Sequence, residues 1–268
     1  MKVPPVMAAE VNRRWLMAAG LCLAATASPL LPAQAAPAPR QIIKLLHRAR
    51  HGWPVDLSGA ALGGFDLTGV DFKSATLAEA DLFGVNLTDA ALAGCDMRRA
   101  HLDRAIVTRA EFSSSNLEAA SLMSLTMFTT LERHHSEAAR FAGARMARAQ
   151  LSGYLDYCDF RWADLSAAVF GSGGGAVSLI GAKFGESNLT GTHFNAAALT
   201  FCRFNGADLS GADLSGCELS QADFSGATVT GMNVAGANLN EAIFTGARGF
   251  ESVKGLDLAR NAQRLKGG

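Results

Sequence analysis

Net charge is missing from this 268-residue chain, whose 24 Lys and Arg residues balance 24 Asp and Glu. A balanced surface supplies no strong field for steering a polyanion or a polycation, so no nucleic-acid partner is expected. None of the five Cys stands in a Cys-x-x-Cys pair, which leaves no signal for a zinc or redox centre. There is no His-Glu-x-x-His. Glu132, His134 and His135 lack metal-ligand spacing and read as an irregular, solvated loop. The glycine-rich run Gly171-Ser172-Gly173-Gly174-Gly175 has no Lys-Ser/Thr after it, so it reads as a slack corner rather than a phosphate cradle. No Ser-His-Asp set and no carboxylate pair can be placed. No catalytic residue, cofactor or metal is therefore assigned, and an enzyme is not expected.

What is present is a period of five. From Leu57 to Met127 every fifth residue is large and apolar, and the residue two positions earlier is small or apolar, most often Ala. The pattern resumes from Leu179 to Phe244. Five fits neither the 3.6-residue helical period nor the two-residue period of a continuous strand. It fits a short extended segment followed by a corner. In Ala207-Asp208-Leu209-Ser210-Gly211, Ala207 and Leu209 then point inward, Asp208 faces water, and Ser210-Gly211 turn the chain.

Units such as Ala207-Asp208-Leu209-Ser210-Gly211, Ala212-Asp213-Leu214-Ser215-Gly216 and Ala237-Asn238-Leu239-Asn240-Glu241 resemble the A-(D/N)-L-x-x pattern of the pentapeptide-repeat family. The resemblance implies an all-β fold, a right-handed quadrilateral parallel β-helix with four pentapeptides per coil. It implies little about activity. Some members resemble duplex DNA and bind DNA gyrase, which requires an acidic stripe. Stacking Asn188 below Asp208 and Thr228 above it leaves no such stripe here. Other β-helices act on glycans in an open groove, which a narrow pentapeptide coil does not offer.

Three joins break the count. Met127 to Phe141 is fourteen residues, and Leu151 to Phe160 and Phe170 to Leu179 are nine each, one short of a multiple of five. If each join drops one residue, Leu57 to Phe244 makes 39 faces in nearly ten coils, and the short faces stack on one side. That places His134-His135-Ser136, Tyr154-Leu155-Asp156 and Ser172-Gly173-Gly174 in register. The alternative for the first join is a protruding loop over 128–138. It leaves only the later two aligned.

Four regions follow. Residues 1–35 read as a cleavable export signal with a twin-arginine-like Arg13-Arg14 and an Ala33-Gln34-Ala35 cleavage site, which predicts a periplasmic or secreted protein with no stable membrane span after cleavage. Residues 36–54 hold a linker and a capping helix. Residues 55–247 form the solenoid, and 248–268 a C-terminal cap and tail, frayed over Lys266 to Gly268. Without the signal the chain has 21 basic and 23 acidic residues. The four remaining Cys (Cys95, Cys158, Cys202, Cys217) all take the inward small-residue position on different coils, which predicts buried free thiols. A non-catalytic scaffold binding an unknown protein or envelope component is the expected function. Its candidate interaction patch is His134, His135, Tyr154, Asp156 and Tyr157, with Trp162 beside them. Leu256 and Leu258 offer a homodimer contact through a solenoid end.

Overall fold

The computed structural model describes residues 39–48, 54–127, 135–171 and 175–267. They form a β-helix solenoid. A helix, α1 (Pro39–Arg48), precedes it, and its Ile42 and Leu46 are buried in the same core as the solenoid. The solenoid is held by parallel pairing between residues 20 apart, as in Asp56 with Thr76 and Asp208 with Thr228. The pairs fall into four columns, which begin at Asp56, Ala61, Asp66 and Asp71. Four short strands are continuous enough to name. These are β1 (Ser121–Leu125), β2 (Gln150–Tyr154), β3 (Val169–Phe170) and β4 (Val177–Ser178), and β2 pairs in parallel with each of the others.

One unit shows why the sequence takes this form. The Asp208 N–H donates to the previous row at Ser187 O (2.9 Å), and those of Leu209 and Gly211 donate to the next row at Thr228 O (2.7 Å) and Thr230 O (2.9 Å). Ala207 N–H closes the preceding corner on Phe204 O at 2.9 Å. The fifth donor, Ser210 N–H, has no backbone acceptor and bonds Asp208 Oδ1 at 2.9 Å. All five N–H groups are thereby satisfied, as a buried ladder requires. The outward Asp or Asn is thus an Asx-turn acceptor as well as a solvated group. Asp56, Asp81, Asn188 and Asp223 do the same. The second corner residue takes a left-handed φ, +65° at Gly211. This is the type II signature, which Gly adopts without a Cβ penalty.

Inside, the Ala and Leu/Phe positions are buried, apart from Phe65, Val70 and Ala247, which are partly buried. The fourth column carries a ladder of Phe rings. Phe112, Phe141, Phe160, Phe184, Phe204, Phe224 and Phe244 stack nearly parallel with centroids 4.6–5.0 Å apart. That matches the ~4.8 Å between paired strands. Phe170 and Phe194 stack in the second column and meet Phe184 edge-on across the interior.

The joins differ from the sequence count. Glu111 pairs with Arg140, 29 positions on, while Ile106 pairs with Thr126, 20 on. Thr126 and Arg140 are therefore successive faces, and the first join is an excursion at one corner rather than two faces and a deletion. Residues 128–134 of it lie outside the described set. The third join behaves alike: Val169 and Ser178 are successive faces in the second and third columns, four residues longer than normal. Only the second join is a true shortening, since Gln150 and Tyr154 are neighbouring faces four apart. The second and third joins do share one corner. However, Tyr154 pairs with Ser178 and not with Ser172–Gly174, which lie outside the described residues, as does His134. The first join sits one corner further on.

The C-terminal segment stays paired with the solenoid as far as Lys266, the first of the three residues expected to fray. Arg248, Lys254, Arg260 and Lys266 each pair with the row beneath them. Their spacing is six, in the pattern basic, Gly or Asn, apolar, two variable residues, apolar. The large inward residue gives way to Gly249, Gly255, Asn261 and Gly267, all with positive φ. Phe250, Val253, Leu256, Ala259, Ala262 and Leu265 fold over the end of the core. Leu256 and Leu265 are partly buried against the core, whereas Leu258 is 65% exposed.

Glycine substitutions separate the two kinds of constraint. A Cβ on Gly211 meets nothing within 4 Å, so Gly211→Ala costs only the left-handed backbone penalty, about 1–2 kcal/mol. On Gly153 a Cβ lies 2.5 Å from Leu125 O and 2.9 Å from Leu125 N. Gly153→Ala is expected to lower the urea midpoint by at least twice as much as Gly211→Ala.

Candidate functional site

The third column and its two corners differ from the other sides. Successive outward residues from Ile106 are Thr126, Tyr154, Ser178 and Ala198, with no charge among them. Among the described residues, six large apolar side chains of the solenoid are exposed, and five lie on this side: Phe83, Ile106, Tyr154, Phe201 and Leu258. Isolated exposed apolar groups need no explanation; the alignment of five of them on one side is what sets this side apart.

The structure places the sequence candidates unevenly. Tyr154 projects from the column and is 53% exposed. Tyr157 occupies the left-handed corner position, φ 62°, between the third and fourth columns. Its ring lies where a Cβ on Gly181 would sit, at 2.8 Å, so the glycine in the next row makes room for it. His135 opens a 3₁₀ turn (His135–Glu137) at the end of the first excursion, and its ring meets Tyr157 edge-on at 5.5 Å. Glu137 O accepts the Arg109 N–H at 2.9 Å, which anchors the returning chain. Phe201, 54% exposed, is at the same corner one row beyond Gly181. Trp162 is not part of this group. It is at the corner between the fourth and first columns, with Arg161 over its ring at 4.9 Å.

Asp156 has a different role from its neighbours. It is buried, and its Oδ1 accepts from Ser178 Oγ and from the Ile180 N–H, the latter at 2.9 Å. Asp103 does the same for Ser121 Oγ and the Met123 N–H. In both places the next row has Ser where Asp or Asn would satisfy its own corner, and the aspartate below supplies the acceptor. The sequence reading missed Phe83, Ile106, Arg104 and Phe201. Their signal was an apolar or aromatic residue at an outward or corner position of the pentapeptide. Arg104 lies 5.6 Å from the centroid of Phe83.

Electrostatically the rod is mixed. Ion pairs run between rows, as in Arg109 with Asp89 at 2.7 Å, or within a unit, as in Arg98 with Asp96. Asn188, Asp208 and Thr228 stack as expected, without an acidic column. No group of three His, Cys, Asp or Glu among the described residues is placed to hold a metal. No helix among them is long and apolar enough to cross a membrane. The four cysteines are buried and free, and burial pushes the Cys95 and Cys217 thiols up to about 12. In the native protein none of the four should react with a thiol reagent at pH 8, and all four should react after denaturation.

Several carboxyls are held below their usual range. A side-chain hydrogen bond from Arg98 is the main cause at Asp96. At Asp159 and Asp223 burial works the other way, and hydrogen bonds from Arg161 and from Ser225 and Asn205 override it. A depressed folded value stabilises above the unfolded value of about 3.9 and is lost as pH falls through the folded value. Thermal stability should therefore hold from pH 7 to about pH 4 and drop below it, as melts at graded pH will record.

Two family models match the chain. A model described as pentapeptide repeats (8 copies) covers residues 55–89 and 80–118, and one described as a pentapeptide repeat region covers 177–248. Among solved structures the chain is similar to HetL, a pentapeptide repeat protein of the cyanobacterium Nostoc, at 21% identity over 86% of this chain and 94% of that one, with a TM-score of 0.40. It is also similar to a trypsin-treated form of QnrB1, a plasmid-mediated fluoroquinolone resistance protein, at 17% identity over 80% and 88%, TM-score 0.38. A pentapeptide repeat protein of the Arabidopsis thaliana thylakoid lumen matches at 19% identity over 69% and 68%, TM-score 0.14. No curated protein matches the chain. With its repeat matched on both sides of the irregular middle, the chain belongs to the pentapeptide-repeat family.

Proposed function

We infer that the protein is an exported, non-catalytic interaction module, a right-handed quadrilateral β-helix of ten turns from Asp56 to Lys266 that presents one side to a protein or envelope component. The observation that supports this reading most directly is the uncharged strip Ile106–Thr126–Tyr154–Ser178–Ala198 with exposed aromatic rings on it and at its corner. A rigid strip of this kind gives a partner contact area at little entropic cost, because the aromatic groups are held on a fixed backbone. The outward carboxylates argue against an enzyme, since those at the corners are engaged in closing the backbone. Export rests on residues 1–35, which lie outside the described set, and places the partner in the periplasm or outside the cell.

QnrB1 is described as a fluoroquinolone resistance protein. A DNA-mimicking role for this chain has little electrostatic support. The first column reads Asp164, Asn188, Asp208, Thr228, Arg248, and the fourth mixes both signs as Arg140, Asp159, Lys183, Arg203, Asp223.

The test is a photo-crosslinking residue introduced at Tyr157 or, as a control, at Asp208, in the full chain expressed in a cell that exports it. A partner captured at position 157 and not at 208 supports the reading. Equal capture at both positions, or a protein retained in the cytoplasm, overturns it.

A further inference from the structure

The balanced total charge conceals a segregation. Residues 55–247 carry 12 Lys and Arg against 21 Asp and Glu, whereas residues 248–268 carry five Lys and Arg against Glu251 and Asp257. The cations at this end are also arranged. Arg248, Lys254, Arg260 and Lys266 sit in the last row, one per column, and Arg264 closes the 3₁₀ turn between the last two of them. All five are exposed. They surround the apolar residues that close the core, and Phe250, Val253, Leu256 and Leu265 among these are only partly buried themselves. Leu258, at the corner between Lys254 and Arg260, is 65% exposed. The rod therefore ends in a blunt, partly apolar face with a cationic rim. The first row is the opposite: Asp56, Asp66 and Asp71 head three of its four columns.

We propose that the C-terminal end docks on an anionic lipid bilayer, with the rod standing end-on. One turn of the solenoid climbs about 4.8 Å, so the four column cations lie within about that distance of one another along the rod axis. That is less than the roughly 8 Å Debye length at physiological salt, so a flat anionic surface across the end acts on all four at once. Arg203, three rows earlier in the fourth column, is about 14 Å further from such a surface and is screened from it. Anionic headgroups attract clusters of this size, and an apolar side chain on the rim can enter the headgroup layer.

Pairing within the chain leaves this field in place. Arg260 pairs with Glu218, and Lys266 with Glu241 at 3.6 Å, but both pairs are open to water and weak. Arg248 bonds the neutral Thr228 Oγ1 at 3.0 Å. Among the described residues no ion pair engages Arg248, Lys254 or Arg264. Counting Glu241 with Glu251 and Asp257, cations still outnumber carboxylates five to three over the last two rows. An end-on contact leaves the third-column side clear, with Tyr154, five rows away, about 24 Å above the surface. It does not depend on that side having a partner.

The experiment is vesicle flotation of the protein purified from an exporting cell. The protein should float with vesicles of phosphatidylglycerol and phosphatidylcholine and stay behind with phosphatidylcholine alone. Molar salt, where the Debye length is about 3 Å, should release it. Lys254→Glu combined with Arg264→Glu should lower the partition coefficient at least tenfold. Circular dichroism and Tm should stay near those of the unaltered protein, since neither side chain is ion-paired. Leu258→Ser should lower partition severalfold at constant charge. Arg40→Glu with Lys44→Glu, the same change in net charge on exposed residues of α1, should leave it within twofold. No flotation with the anionic vesicles at low salt, equal flotation with the neutral ones, or an equal loss from the α1 pair overturns the proposal. Displacement by inorganic phosphate at constant ionic strength also overturns it, because that marks a site for a single anion rather than for a surface. If a protein that fails to float still captures a partner at position 157, only the membrane contact is lost and the interaction module stands.

Discussion

Stacked backbones one hydrogen bond apart, about 4.8 Å, set the dimension to which every other part of the rod conforms. A chain that turns every five residues and pairs with its neighbours at that distance has five N–H groups to satisfy per unit. Four find backbone oxygens, and the fifth needs a side chain. This is why the outward position so often holds Asp or Asn. The same spacing suits offset aromatic rings, so Phe repeats down one column without strain. It also leaves no room between rows for a bulky group at a crowded point, as Gly153 and Gly181 show.

The fold was legible because the period is long and exact in residue type. The register through the middle was not, because join lengths of fourteen and nine are both one short of a multiple of five, and a single-residue deletion explained them equally well. Backbone pairing resolves this, since Glu111 with Arg140 and Gln150 with Val169 fix which faces are neighbours. A second signal was available in the chain. Phe112, Phe141, Phe160, Phe184, Phe204, Phe224 and Phe244 share a column, and treating identical residues as stacked would have recovered the correct phase. The end of the rod was misread for a related reason. A search for fives passes over Arg248, Lys254, Arg260 and Lys266, which recur in sixes.

The candidate patch was partly legible. Tyr154 and Tyr157 stood out because they flank an irregular join, and the contact between His135 and Tyr157 brings two of the candidates together. Asp156 looked like a surface acid but satisfies a corner in the next row. That role depends on Ser178, 22 residues away, and no local pattern reveals it. Phe83, Ile106 and Phe201 belong to the same side only once the columns are known. Sequence distance conceals what the stack makes adjacent.

Parallel strands in register, with identical rings piled on identical rings, are also the construction of an amyloid fibril. The C-terminal change from five residues to six therefore acts as a terminator. It replaces the inward residue by Gly or Asn, spreads cationic groups around the last edge, and closes the template on which a further strand would grow. A chain built this way keeps the cohesion of a fibril within one molecule of fixed length. Deleting the last twenty residues would remove more than a cap, because it would expose a Phe-topped growth face ready to seed an aggregate.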